Sequence, residues 1–423
     1  MEELVKVLLV GVDTGIETDF DHSMEELASL SKACNKEVVG MITQRKESVN
    51  KAFYIGSGKV AEVRHFAGKC GAEEVIFDNT LTPSQIRNLG RELELRVLDR
   101  TNLILDIFAI RARTGEARLQ VEMARLQYML PRLVGMHEAL GRQGGTGGSM
   151  SNKGAGETRL ELDRRRIEHR ISELRRELED LERSRQTQRK KRNASKIPQV
   201  CLVGYTNVGK STVLNRMVEQ YGKTPDKKVL EQDMLFATLE TSVRTIDTGD
   251  GKAFFLADTV GFIHKLPHGL VEAFHSTLEE VRYADLCVQV VDFSDSNYRQ
   301  QMEVTKDTLQ ELKVGDIPQI IVYNKSDLCG MQGLPKVGEN CIYMSAGDRV
   351  GLEELLEMIK QKLYADYMEC SFCIPYAAGN VASYLMEQAE VQKKDYREDG
   401  LYLRVRCHQQ DAKRYEAYLT DRG

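Results

Sequence analysis

The 423-residue chain has no apolar run near the roughly 18 residues that a membrane-spanning helix needs. Its first residues, Met1-Glu-Glu-Leu4, are acidic where a secretory signal would be basic. A disulfide framework is missing as well: the nine cysteines, an odd number, fall at irregular spacings, as reduced cytosolic thiols do. Regular metal spacing is lacking, since Cys370-Ser-Phe-Cys373 with Cys407-His408 downstream is too irregular for a zinc site and reads as small buried residues. There is no net positive charge. At -5 the protein is not a general polyanion binder, so any nucleic-acid contact must use a local basic surface. A cytoplasmic monomer is expected, with no integral membrane insertion and no DNA partner; peripheral contact with a membrane stays open.

What is present is a set of nucleotide motifs in order. Gly204, Tyr205, Thr206, Asn207, Val208, Gly209, Lys210 and Ser211 fit G-x-x-x-x-G-K-[ST], in which backbone amides wrap phosphates, the lysine reaches the β and γ phosphates, and the serine hydroxyl holds magnesium. The apolar run Val200–Val203 before the loop predicts a buried strand, and Ser211 to Val218 has helical spacing, so phosphate is delivered to a helix N-terminus. Asp258, Thr259, Val260 and Gly261 follow the strand-like Phe254–Ala257; Asp258 can bind the magnesium through its water shell and Gly261 can offer its N–H to the γ-phosphate. Asn324, Lys325, Ser326 and Asp327 follow Ile320–Tyr323. Asp327 can accept two hydrogen bonds from guanine, in a mostly buried pocket that adenine cannot satisfy. Asn324 would brace the loop and the Lys325 stem would cover the base. Ser345, Ala346 and Gly347, after Ile342–Met344, supply a last loop whose amide can meet the guanine O6.

Between the first two motifs lies Phe236, Ala237, Thr238, Leu239 and Glu240, preceded by a polar stretch from Gly222 to Gln232 that should order only on a γ-phosphate and its metal. Thr238 is the candidate magnesium threonine, with Thr241 and Ser242 as competitors. Lys210, Thr238 and Gly261 are the residues expected to act in hydrolysis. Many small GTPases carry a water-orienting glutamine after the second motif; here that position is Phe262, which cannot hydrogen-bond a water, so slow intrinsic turnover completed by a partner is expected.

Before these motifs, residues 1–113 alternate strands (Val5–Val10, Glu37–Ile42, Glu74–Phe77, Leu95–Leu98) with helices, which predicts an α/β domain with a largely parallel sheet. Gly56-Ser-Gly-Lys59 reads as a glycine turn rather than a second phosphate loop. Residues 114–193 carry two apolar seams stepping by four and three, Leu119 to Leu133 and Ile167 to Leu181, which predict a long antiparallel helical hairpin. Gly141 to Gly156 is loop by composition, a basic tip bearing Arg142 and Lys153. Arg159 to Arg192 holds thirteen cations against eight acids and ends in Arg189, Lys190, Lys191 and Arg192, a basic linker with no aromatic residue, suited to an RNA backbone. Residues 194–365 would form a P-loop GTPase domain with a mostly parallel sheet and helices on both faces. Residues 366–423 would form a small α+β domain with a helix from Ala377 to Gln392, a turn at Glu398–Gly400 and a strand Leu401–Arg406.

The phosphate loop, Leu235-Phe-Ala-Thr-Leu239, Asp258-Thr-Val-Gly-Phe-Ile263, Gly154-Ala-Gly-Glu-Thr-Arg-Leu-Glu-Leu-Asp-Arg-Arg165, Gly56-Ser-Gly-Lys-Val60, Asp78-Asn-Thr-Leu-Thr-Pro-Ser-Gln85 and Leu98-Asp-Arg-Thr-Asn-Leu-Ile-Leu-Asp-Ile-Phe108 together resemble the HflX family of ribosome-associated GTPases, in the Obg-HflX-like group. Ala155 departs from the proline common there. The resemblance implies that the N-terminal domain and hairpin engage the large ribosomal subunit, that the GTP form splits stalled ribosomes, and that the ribosome stimulates hydrolysis. By resemblance to translation-linked GTPases with the same loop, Asn207 helps hold a potassium ion beside the phosphates. Two alternatives stay open: a GTPase in large-subunit rRNA maturation, and a nucleotide-gated binding protein with incidental hydrolysis.

Overall fold

The computed structural model describes residues 4–15, 19–143, 153–194, 197–222, 235–236, 241–249, 252–265, 280–312, 314 and 317–422. The N-terminal domain is a four-stranded parallel sheet ordered β2-β1-β3-β4, from β1 (Val5–Asp13), β2 (Lys36–Arg45), β3 (Glu74–Phe77) and β4 (Arg96–Asp99). Alternate residues of β1 feed two cores. Val7 and Leu9 pack with α1 (Phe20–Ala33) and α4 (Arg100–Arg111), while Leu8 and Val10 pack with α2 (Ser57–Cys70) and α3 (Pro83–Leu93). The helix starts are written locally. Pro83 sits in the first turn of α3 behind a capping box in which Thr82 accepts from the Gln85 N–H and Gln85 accepts from the Thr82 N–H at 2.9 Å. Asp99 caps α4, accepting from the Asn102 N–H at 2.9 Å.

The same buried Asp99 anchors the hairpin. It accepts from the Tyr128 hydroxyl at 2.7 Å and from Arg132 Nη2 at 3.0 Å, both on α5 (Gly115–Gln143), and the Arg132 guanidinium lies over the Tyr128 ring. Burial, followed by the Asp99 charge, pushes the Tyr128 phenol well above its ordinary value. Helix α6 (Lys153–Ala194) packs against α5 through buried Val121, Met123, Ile171 and Leu174, and Arg170 grips Glu122 with two hydrogen bonds, 2.8 and 3.1 Å. Two expectations need correction. The glycine-rich tip is shorter than its composition suggests, because α5 continues to Gln143 and α6 already starts at Lys153, with Gly154 and Gly156 helical. The basic run Arg189–Arg192 is not a linker but part of α6, since strong helix formers carry it to Ala194.

The third unit has a seven-stranded sheet ordered β10-β11-β9-β8-β5-β7-β6. Its strands are β5 (Gln199–Val203), β6 (Ser242–Ile246), β7 (Phe254–Asp258), β8 (Leu286–Asp292), β9 (Gln319–Asn324), β10 (Lys336–Val337) and β11 (Cys341–Tyr343). Only the edges β6 and β10 run antiparallel to their neighbours. β5 is buried throughout and again serves both faces: Val200 and Leu202 face α7 (Lys210–Tyr221) and α9 (Leu352–Leu363), whereas Cys201 and Val203 share a cluster with Leu309 of α8 (Tyr298–Glu311). The α7 and α9 side of this core is continuous with the α1 and α4 side of the N-terminal core. The C-terminal unit is an antiparallel sheet ordered β13-β14-β12-β15, from β12 (Tyr367–Ile374), β13 (Glu390–Arg397), β14 (Gly400–His408) and β15 (Leu419–Arg422), with α10 (Gly379–Gln388) on it. The helix expected to reach Gln392 therefore ends at Gln388. Residues 390–397 form an edge strand exposed along most of its length, so no alternating apolar pattern marked it.

Leu174 is fully buried on a helix that is otherwise largely solvated. Leu174→Ala is expected to cost about 2–5 kcal/mol at the hairpin base, read as faster amide exchange across α5 and α6.

Candidate functional site

Strand β5 ends in a turn that only glycine can make. A Cβ on Gly204, at φ 143°, would lie 2.2 Å from the Val290 carbonyl oxygen, and one on Gly209, at φ 93°, would lie 2.4 Å from Asn324 Nδ2. Gly209 then caps α7, so the loop wraps the N-terminus of that helix, where backbone N–H groups and the helix dipole favour an anion. Lys210 is buried and donates to the Gly204 and Tyr205 carbonyls at 3.1 and 2.6 Å. Burial pushes its pKa down to about 8 against an opposing pull from Asp258. The Ser211 hydroxyl donates to Asp258 Oδ2 at 2.6 Å, and Asp258 is fully buried at the end of β7. Val208 fills the core beneath the loop, while Asn207, at φ 62°, stands exposed on its outer edge.

The second motif is sewn to the first. Thr259 donates through its hydroxyl to the Leu202 carbonyl at 2.7 Å; the Thr206 N–H donates to the Phe262 carbonyl at 2.8 Å and the Phe262 N–H to the Gly204 carbonyl at 3.1 Å. Gly261 is thereby pressed against the loop. A Cβ on it would fall 2.8 Å from Thr206 Cα and 2.9 Å from Lys210 Nζ. Val260 is buried beside it, and Phe262, 2 % exposed, packs its ring with Cys201, Val203 and Ala257.

The third motif ties the ends of three strands together. Asn324 donates to the Val208 carbonyl and accepts from the Ala346 N–H, both at 2.9 Å. Lys325 donates to the Asn207 carbonyl at 2.9 Å and to Asp292 Oδ2 at 2.7 Å, which lays its stem along the loop. Ser326 is buried and donates to the Tyr323 carbonyl at 2.8 Å. Asp327 stands on a short 3-10 turn and is exposed among the described residues, not set in a mostly buried pocket, because that turn lies at the surface beyond the end of β9. In the last loop, whose amide is expected to meet the guanine O6, the Ala346 N–H donates to Asn324. Ser345 is tied to Asp348 at 3.0 Å, and Gly347 is the exposed tip of that last loop.

Asp292 escaped the sequence reading: Leu286–Val291, apolar but for Gln289, ends in a carboxylate as β7 does. Ala237, Thr238, Leu239 and Glu240 lie outside the described residues. Phe236 is described and buried, meeting Phe108 of α4 edge-on with centroids 4.7 Å apart. Arg142 lies on α5, and Lys153 and Arg189–Arg192 lie on α6; their side chains fall outside the described residues.

Residues 21–109, 111–192 and 199–325 match, in turn, the families described as GTP-binding GTPase N-terminal, GTP-binding GTPase Middle Region and 50S ribosome-binding GTPase. The chain is 42 % identical to GTPase HflX of Caldanaerobacter subterraneus subsp. tengcongensis over 96 % of its own length and 92 % of the relative's. It belongs to the HflX family of GTPases. The Escherichia coli HflX is 37 % identical over 90 % of this chain and 89 % of that one. A GTP-binding protein from Sulfolobus solfataricus, solved with GDP, is 25 % identical over 85 % of this chain and 99 % of its own, at a TM-score of 0.44.

As an HflX GTPase the chain binds GTP and GDP and hydrolyses GTP. The donors beside its phosphate loop suit magnesium, a hard cation that takes oxygen ligands: Ser211 Oγ and Asp258 Oδ2 are 2.6 Å apart. Those two residues would hold the ion, which supplies charge to the β and γ phosphates when bound.

Lys210 gives a proton-linkage prediction. Its pKa of about 8 in the free protein lies below the usual lysine value, and a bound phosphate favours the cation, so nucleotide binding at about pH 8.5 takes up a proton. Calorimetric binding heats for GDP in buffers of different ionisation enthalpy should then differ; identical heats would contradict it. Asn324→Ala cuts the ties to Val208 and Ala346 and is expected to weaken GDP binding by about tenfold, the equivalent of one or two lost hydrogen bonds, in a fluorescent-nucleotide titration.

Proposed function

We propose that this GTPase is a translation factor of the cytoplasm that binds the large ribosomal subunit and, with GTP bound, separates stalled or idle ribosomes into subunits. The observation that carries the reading is Phe262: its ring is committed to the core, so the position after the second motif supplies nothing to orient an attacking water. Such a site needs a partner to complete it. Lys210 and the loop amides would hold the phosphates, Thr238 and Gly261 would respond to the γ-phosphate, and Asp327 would select guanine. With Asp327 exposed, selectivity rests on the two hydrogen bonds it would make to the base, at about 1.5–3 kcal/mol each for a charged acceptor, rather than on a buried unpaired charge.

Arg142 and Lys153 at the hairpin end, and Arg189, Lys190, Lys191 and Arg192 on the last turns of α6, are the proposed contacts to ribosomal RNA, a phosphate-rich partner that cationic helix surfaces suit. Splitting would draw its energy from tighter binding to the separated subunit than to the joined particle, with hydrolysis releasing the factor.

Sedimentation of intact ribosomes with the protein and a non-hydrolysable GTP analogue tests this. Accumulating free subunits are expected. Co-migration with one subunit and no splitting points to rRNA maturation, and absence of association points to a nucleotide-gated binding protein. Asn207, exposed beside the phosphate loop, is proposed to help hold potassium; turnover in potassium buffer should then exceed that in sodium buffer, and equal rates would remove the ion.

A further inference from the structure

The phosphate-loop tyrosine is taken up by the N-terminal domain. Tyr205 is buried against the N-terminal domain, where its hydroxyl donates to Glu26 Oε1 of α1 at 2.5 Å and accepts from the His264 N–H at 2.7 Å. His264 lies three residues beyond Gly261. One residue further on, Lys265 donates to Asp78 Oδ2 at 2.5 Å and to the Ser23 hydroxyl at 3.1 Å. Asp78 also accepts from Arg100 Nη1 at 2.7 Å, and Arg100 pairs with Glu26 as well.

Among the described residues, the N-terminal domain thus sets two buried carboxylates, Glu26 (7 % exposed) and Asp78 (0 %), against one buried guanidinium, Arg100 (1 %). Lys265 supplies the matching cation from the other domain. Removing a cation from a buried charge cluster is costly, so the cluster holds the Lys265 side chain in place. The cluster and the tyrosine hold two successive residues, and the chain between them and Gly261 is short. Their grip therefore adds to the Phe262 backbone pairing in fixing where Gly261 lies against Thr206 and Lys210.

We infer that Tyr205 and Lys265 are positioning residues for GTP hydrolysis, through which Glu26 and Asp78 of the N-terminal domain set the place of the Gly261 amide. The hydroxyl is the link at Tyr205, and charge is the link at Lys265. Both side chains are engaged by protein groups away from the phosphate loop's amides, so their effect falls on the rate of the step and not on nucleotide affinity.

The test uses the full chain and measures kcat, KM and Tm of basal GTP hydrolysis for Tyr205→Phe, Lys265→Met, and Lys265→Met combined with Asp78→Asn, the last restoring the charge balance without restoring the tether. In all three, kcat is expected to fall about tenfold with KM within about twofold, in keeping with small misplacements of reacting groups. Tm should fall in Lys265→Met and return in the double variant. A parent-like kcat in Tyr205→Phe, a parent-like Tm in Lys265→Met, or a kcat that recovers together with Tm in the double variant would each overturn the inference, the last by assigning Lys265 a purely structural part.

Discussion

Two backbone hydrogen bonds, from Thr206 to the Phe262 carbonyl and from Phe262 to the Gly204 carbonyl, tie the phosphate loop to the segment after the second motif. Most of the site's other features follow from that short pairing. It turns the Phe262 ring into the core, holds Gly261 where no side chain fits, and carries His264 and Lys265 across to the N-terminal domain. Only glycine tolerates the contacts at 204 and 261, so the sequence requirement and the geometry are one constraint. A γ-phosphate that engages Gly261 therefore pulls on a segment whose other end is held by buried charge.

The domains are mechanically continuous in the same sense. Phe236, two residues before Thr238, packs on Phe108 of α4, and Asp99, which caps α4, also grips Tyr128 and Arg132 of the hairpin. The apolar core runs unbroken from α1 and α4 into the nucleotide domain. The segment holding Phe236 is thus joined by packed side chains to the base of the long helices. Packed interfaces of this kind shift between discrete arrangements rather than deforming smoothly, which is how a small change at a phosphate reaches a distant surface.

Much of this was legible in the residues. The strands of the N-terminal sheet and of β5, β7, β9 and β11 stand out as short apolar runs. Asn324 braces the loop as its position suggested, by bonds to both Val208 and Ala346. Other features were hidden for physical reasons. Glycine content concealed helix at Gly154 and Gly156, and β13 gave no alternation because an edge strand buries neither face. The outward turn of Tyr205, the engagement of the Ala346 amide and the cluster of Glu26, Asp78, Arg100 and Lys265 join residues up to 242 positions apart in the case of Ser23 and Lys265. No local pattern encodes such pairings.

The proposed function requires a nucleotide site that selects guanine and lacks one catalytic group until the large ribosomal subunit docks. Single-turnover GTP hydrolysis, measured with and without purified large ribosomal subunits, tests it most directly. A slow rate for the protein alone that rises by about 10³-fold or more with the subunit, as when a missing catalytic group is supplied in trans, is expected. A rate that is already fast alone and indifferent to the subunit would contradict it.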